Sequence, residues 1–411
     1  MEKILFYLEP YCFIFETEKS SLVYNTLNAA YIKTDNLVIR EILSKLQDVS
    51  NGYSVELSAE TLHDKEFCAW YHEIRESFSG DIVRLDSTQK KPFIFRPRLR
   101  IYNDINTIRK EKGRSLGESI LRNLSEVTFY MSSECDRGCT YCNQYYKQFN
   151  HCTCFTSVDS PNLDEKDYAE ILKRLEAAGL QRVNFVVGNN FASCKNFMYV
   201  WNNLSAYPFH AYIYMPYQTS VDFLIPYLKE RNSKLNIYIH SVAELKEIIA
   251  KKDKYSDDSI SWLMPVSSEK DLSVISNMET MNNLQILPFY TGDNLKFFED
   301  YVYMSLSDLL EAPITKKSIY RRQVLNENFY GKLYIYPNGD VYANVNRSRL
   351  GNIKEHLLAE LVYNEMNSEE TWLQSRDAFP KCQSCVNRYL CPSISNYELV
   401  IGKTDLCKDM H

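Results

Sequence analysis

Residues 163–188 read LDEKDYAEILKRLEAAGLQRVNFVVG. The first part, residues 163–179, has the spacing of an amphipathic helix, and Gly179 stands where a helix stop belongs. The second part, VNFVVG at 183–188, is a short apolar run of β-type residues. Such a run fits a strand covered on both faces. From Val127 onward this alternation repeats, with strands ending near Met131, Gly188, Pro216, Ser241, Val266 and Tyr290. The last five ends are about 25 residues apart. Helical patterns fill the intervals at 163–179, 196–204, 220–231, 242–255 and 269–281. Strand–helix repetition of this length makes βαβ units and a parallel sheet. The fold class is therefore α/β, and six units predict a partial (β/α)6 TIM-like barrel over residues 121–310. In such folds chemistry sits at the carboxyl ends of the strands.

On either side the pattern changes. Residues 1–86 read as a small α+β domain: β-formers at 7–17 and 22–34, turn candidates at Asn25 and Asn28, then helices over about 38–46 and 64–78. Residues 87–120 form a basic linker with nine Lys and Arg, among them Lys90, Lys91, Arg96 and Arg114. A solvated connector and a docking face for an acidic peptide are equally open readings. In residues 311–411, LYIYPNGDVYANV (333–345) alternates around Asn338-Gly339, a hairpin signal. A helix at about 356–367 and a Cys-rich loop follow.

The chain has 411 residues, 45% hydrophobic and 24% charged, with net charge −6. This is globular composition without general affinity for nucleic acid. No apolar run is long enough for a membrane span, and the amino-terminal apolar stretch is too short for a signal peptide, so cytoplasmic localisation is expected. There, twelve Cys are not expected to be disulfides. Cys12, Cys68 and Cys194 read as buried small hydrophobes, and Cys152 and Cys154 as incidental loop residues.

The remaining seven Cys form two groups. Glu134-Cys135-Asp136-Arg137-Gly138-Cys139-Thr140-Tyr141-Cys142 directly follows the first strand of the parallel region. Cys135, Cys139 and Cys142 can hold three irons of a cubane cluster, leaving the fourth open to a chelating molecule. Zinc or chance spacing is the bland alternative. In the second group Cys382, Cys385, Cys391 and Cys407 supply four thiolates, which suit a closed 4Fe–4S cluster or a tetrahedral zinc.

The C-x3-C-x2-C spacing, with the aromatic Tyr141 before the third Cys, resembles the radical SAM superfamily. The resemblance covers about residues 120–411. It implies that S-adenosyl-L-methionine binds the open iron and is cleaved by an electron to methionine and a 5′-deoxyadenosyl radical, which abstracts a substrate hydrogen. By the same resemblance Tyr141 contacts the adenine region, Ser241 contacts the cofactor, and Gly188, Asn189 and Asn190 stand where the family holds the cofactor's amino group. The family usually has an acid there. An Asn carbonyl accepts a hydrogen bond but lacks the charge that strengthens it. The carboxy-terminal Cys pattern resembles a SPASM/twitch domain with one auxiliary cluster absent and one kept, so two 4Fe–4S clusters are expected.

The ending Leu390-Cys391-Pro392-Ser393-Ile394-Ser395-Asn396-Tyr397-Glu398 is similar to maturase-like proteins of Bacteroidales peptide-modification systems, whose pseudo-radical SAM branch lacks the first cluster motif. The resemblance implies a precursor peptide with a leader as partner, a reductant such as flavodoxin or ferredoxin, and in the silent branch a second maturase. It also implies a winged-helix-like peptide recognition element in residues 1–86. The function implied is a radical SAM maturase of a ribosomally synthesised peptide. The alternative is a catalytically silent accessory protein that binds the peptide for a partner maturase. No general acid or base stands out.

Overall fold

The computed structural model describes residues 3–86, 120–131, 148–150, 162–188, 194–217, 219–251, 255, 257–276, 283–368 and 370–408. Strand β1 (Lys3–Leu8) is flanked by the antiparallel strands β5 (Ser54–Glu56) and β6 (Gly80–Leu85). Strands β2 (Cys12–Glu16), β3 (Ser21–Asn25) and β4 (Tyr31–Thr34) form a second antiparallel meander. Asn25 and Asn28 turn the chain between β3 and β4 by accepting the backbone N–H of Leu27 and Ala30. Helix Leu37–Gln47 is capped by Asn36 and buries Ile39, Ile42, Leu43 and Leu46. Helix Lys65–Glu76, capped by Asp64, buries Phe67, Trp70 and Ile74 against Phe6. Both elements match the sequence reading.

The remaining strands form one nine-stranded sheet. Parallel strands β7 (Glu126–Tyr130), β8 (Arg182–Val186), β9 (His210–Pro216), β10 (Ser233–Tyr238), β11 (Ile260–Val266) and β12 (Leu284–Pro288) lie side by side in sequence order. On the other side of β7 comes β13 (Lys332–Ile335), also parallel, followed by β14 (Asp340–Tyr342) and β15 (Arg349–Asn352). The hairpin read from Asn338-Gly339 is present as β13–β14, with Gly339 at φ 88°. It does not start a separate sheet, however. Its first strand extends the parallel one.

The helices Glu165–Ala177, Lys195–Asn203, Val242–Ala250 and Glu269–Ser276 occupy four of the predicted intervals. Gly179, at φ 74°, ends the first of them. The interval at 220–231 departs from expectation, being made of two 3-10 turns, Thr219–Phe223 and Ile225–Tyr227. Pro226 explains this, because it has no N–H to give the carbonyl four residues earlier and its ring crowds that turn. The predicted helix at 356–367 is Leu358–Ser368.

The two faces of the parallel sheet differ in chemistry. Val127, Phe129, Val183, Phe185, Ile213, Ile237 and Trp262 point to the helices and form the main core with Tyr168, Leu172, Leu175 and Phe197. Their neighbours in sequence point the other way: Glu126, Thr128, Asn184, Tyr214, Asn236, Tyr334. Glu126, Thr128, Asn184, Asn236 and Tyr334 are nonetheless buried. The apolar look of VNFVVG thus hid a buried polar face, carried by Asn184.

The carboxy-terminal segment is fastened beneath β13. The Trp372 indole donates to the Lys332 carbonyl at 3.0 Å, and its backbone N–H donates to Oε1 of Glu365 at 2.6 Å. Burial pushes the Glu365 carboxyl up from the usual carboxylate range to about 7. The native state therefore holds this proton to higher pH than the unfolded chain does. The associated stability is complete below about pH 4.5 and is lost as pH rises through about 7. Wild-type stability should fall by roughly 2–3 kcal/mol from pH 5 to pH 8 through this group. Glu365→Gln, which keeps an acceptor for Trp372, should lose that slope in urea unfolding at the two pH values.

Candidate metal centre

Cys382, Cys385, Cys391 and Cys407 all line one small cavity of about 30 Å³. The first three sit on consecutive tight turns. Helix Pro380–Gln383 begins on a Pro suited to a first turn. The Cys385 N–H then bonds the Cys382 carbonyl at 2.9 Å, and the Leu390 and Cys391 N–H groups bond the Asn387 carbonyl at 2.8 and 3.0 Å. Cys407 arrives from after helix Asn396–Ile401 and is held by a parallel bridge to Met304.

Under the thiols lies Arg376. Its guanidinium donates to the Glu398 carboxylate at 3.0 Å, the Thr404 carbonyl at 3.0 Å, the Pro392 carbonyl at 2.6 Å and the Cys382 sulfur at 3.5 Å. The Arg376 and Glu398 side chains are 11% and 3% exposed. One cation thus ties together the segments that carry Cys382, Cys391 and Cys407.

Burial pushes the Cys391 thiol up to about 12 and the Cys407 thiol up to about 11. It also raises Cys382, against the opposing pull of Arg376. At neutral pH Cys391 and Cys407 are therefore protonated, and a metal that binds them must displace protons. Four sulfurs and a buried guanidinium are a donor set suited to a thiolate-bound group that carries negative charge. Asp405, the one carboxylate among the described residues of the lining, is engaged by Lys381 at 2.6 Å. Among the described residues no group of three or more His, Cys, Asp or Glu is placed to hold a metal ion.

The amino-terminal unit packs beside this loop. Phe15, Leu22 and Tyr24 share a cluster with Leu309, Ile319, Val386 and Leu390, and Cys391 and Cys407 flank it. The Tyr31 hydroxyl donates to Oδ1 of Asn387 at 2.9 Å. Cys385 also lines an open cleft of about 730 Å³ bounded by the Thr17–Ser20 turn, Lys33 and Asp35.

The other predicted site residues divide as follows. Cys135, Cys139, Cys142, Tyr141, Asn189, Asn190, Cys152 and Cys154 lie outside the described residues, as does nearly all of the basic linker. Gly188 is buried just past the end of β8. The Ser241 hydroxyl caps helix Val242–Ala250 by accepting the Glu244 N–H at 3.1 Å. Cys12 is buried and Cys194 is half-buried against the Met131 carbonyl. Cys68, read as buried, is exposed and donates to the Leu62 carbonyl, because the buried stripe of its helix runs through Phe67, Trp70 and Ile74.

One polar cluster escaped the sequence reading. Asn184 donates to Oε1 of Glu126 at 2.6 Å and to Oγ1 of Thr128 at 2.8 Å. Arg182 reaches Oε2 of Glu126 at 3.3 Å and lies 4.1 Å over the Tyr212 ring. The signal was the period-two placement of Glu126-Thr128 and Arg182-Asn184 in otherwise apolar strands.

No family model matches the chain, and no curated protein matches it. Among solved structures it is similar to Streptococcus suis SuiB. SuiB bound to S-adenosylmethionine is 14% identical with a TM-score of 0.38, over 98% of this chain and 99% of that one. SuiB alone is 16% identical with a TM-score of 0.41, over 98% of each chain. SuiB bound to precursor peptide SuiA is 16% identical with a TM-score of 0.40, over 99% and 97%.

Removing Arg376 strands Glu398 in the interior. In metal-free protein Arg376→Met should cost on the order of 3–5 kcal/mol, and Arg376→Met with Glu398→Met should recover most of it. Guanidinium unfolding midpoints measure both.

Proposed function

We propose that this chain is a radical SAM maturase of a ribosomally synthesised peptide. The observation that carries the reading is the place of the C-x3-C-x2-C motif. Strand β7 ends at Tyr130, and Cys135 follows five residues later. That strand lies between β8 and β13, and its carboxyl end, the end at which α/β enzymes place their chemistry, leads in sequence into the motif. In this reading Cys135, Cys139 and Cys142 hold a 4Fe–4S cluster, which supplies the electron that cleaves S-adenosyl-L-methionine. The parallel sheet is the wall of a partial (β/α)6 barrel, and residues 311–411 form a SPASM/twitch-like domain.

Cys382, Cys385, Cys391 and Cys407 hold a second cluster. The chain's own contribution there is the Arg376 guanidinium. Already bonded to Cys382, it would offset negative charge on the ligated sulfurs. The amino-terminal unit is the peptide recognition element. A flavodoxin or ferredoxin supplies electrons, and the protein works in the cytoplasm. No helix among the described residues is long and apolar enough to cross a membrane.

A second reading is favoured by one feature of the sequence, the Asn189-Asn190 pair in place of an acid. It makes the chain a silent accessory protein that presents the peptide to a partner maturase. Anaerobically reconstituted protein with dithionite separates the two. The maturase releases 5′-deoxyadenosine well above a Cys135→Ala control, and the accessory protein does not.

Iron analysis tests the ligands themselves. Roughly eight irons per chain are expected from two cubanes, falling by about four in Cys135→Ala and by about four in Cys391→Ala. Zinc without iron would overturn the radical SAM reading.

A further inference from the structure

We infer that the cavity on the polar face of the parallel sheet is a carboxylate-binding site that takes an acidic side chain of a peptide. The choice of a peptide rests on the maturase reading; the anion preference does not. The cavity has a volume of about 330 Å³ and is walled by β9 to β13, residues 148–150 and the start of helix Asn396–Ile401. That is the low end of ligand-site volumes, suited to one side chain rather than a folded segment.

Three donors in its lining have no acceptor among the described residues. Asn236, in the middle of β10, is 9% exposed, and its Nδ2 has no hydrogen-bond partner. A buried amide N–H2 left unmade is costly and points to a group absent from the chain itself. Lys332 opens β13, is half-buried, and forms no ion pair with any of the described residues. Asn396 has its Oδ1 occupied by the Asn344 and Asn346 amides at 2.8 and 3.1 Å, so its N–H2 is what remains for a ligand.

Two acceptors in the cavity are already engaged. Gln148 accepts from the Tyr290 N–H at 2.7 Å, and the Tyr214 hydroxyl receives Arg182 at 3.4 Å. Glu126 is the acid beside Lys332 in strand register, but it is held by Asn184 and Arg182. On this part of the face two cations, Arg182 and Lys332, meet one anion, Glu126, which leaves one positive charge. An ammonium and two amide donors in the lining of one cavity favour a charged acceptor over a neutral one.

Binding to full-length protein tests this by saturation-transfer NMR and calorimetry with acetyl-Gly-Gly-Glu-Gly-Gly-amide and its Gln counterpart. The Glu peptide should bind at least about tenfold more tightly, the effect of one charge-assisted hydrogen bond. Lys332→Met should erase the preference. Asn236→Leu should weaken the Glu peptide about tenfold while raising Tm, since it removes the unpaired amide. Equal binding of the two peptides, or an unchanged preference in both variants, overturns the inference. Succinate as probe separates the sources of the carboxylate: tighter binding than the peptide overturns the peptide assignment. The cavity needs no cluster, so a Glu preference that persists in protein unable to cleave S-adenosyl-L-methionine would sustain this inference while the maturase reading failed.

Discussion

The structure depends on the strict alternation of side chains along a strand. Each central parallel strand must satisfy two environments at once. One is a helix-covered face that accepts only apolar groups. The other is a buried face that accepts polar groups only if they are mutually bonded. Asn184 shows the consequence. It sits at the middle of β8, fully buried, and is tolerable because Glu126 and Thr128 on β7 accept both of its amide hydrogens. Parallel pairing sets Thr128 opposite Asn184 and Glu126 opposite Arg182. A one-residue slip of β8 would carry Phe185 onto the polar face and strand the Asn184 amide among the helices. The buried network therefore fixes register as firmly as the apolar core does.

A second constraint concerns the cysteine loop, whose turns are too short to bury themselves. Helix Pro380–Gln383 has four residues and no apolar stripe of its own. Its order comes from two distant parts of the chain. The meander of residues 12–34 covers Val386 and Leu390, and Met304 pairs with Cys407. The Tyr31–Asn387 bond spans 356 positions of sequence. Closing a loop of that length carries an entropy cost that the contacts at its ends must offset. Arg376 then closes the loop from beneath with bonds that need no metal.

These distances explain what could be read from the sequence. The strand–helix alternation, the caps at Asn36 and Asp64, the stop at Gly179 and the hairpin at Gly339 are local, and each stands where its residues put it. So are the turns that bring Cys382, Cys385 and Cys391 together. The partners of those turns are not local. Nothing near Arg376 marks it as the cation beneath the thiols, and nothing near Lys332 shows that the hairpin strand would join β7. The helix expected at 220–231 failed for a local reason that was visible, namely Pro226. The polar face was missed for a different one. Single Asn residues inside apolar runs look like tolerated exceptions until the neighbouring strands supply Glu126 and Thr128 at the matching height.

The thiol cavity and the polar cavity are two ends of one segment. Between Cys391 and Asn396 the chain has only four residues, and each is gripped. Arg376 holds the Pro392 carbonyl. Glu327 N–H bonds the Ser393 hydroxyl, and the Asn326 and Asn328 amides hold the Ser393 and Ile394 carbonyls. The Ser395 hydroxyl and N–H bond Glu398, which is the partner of Arg376. Every one of these is a backbone anchor or a charge-assisted bond, and together they tie the segment to Arg376, Glu398 and residues 326–328. The position of Asn396 at the polar cavity is thereby fixed by the same guanidinium that sits under Cys382. Arg376 thus bonds both the Cys382 sulfur and the backbone at Pro392, four residues before Asn396.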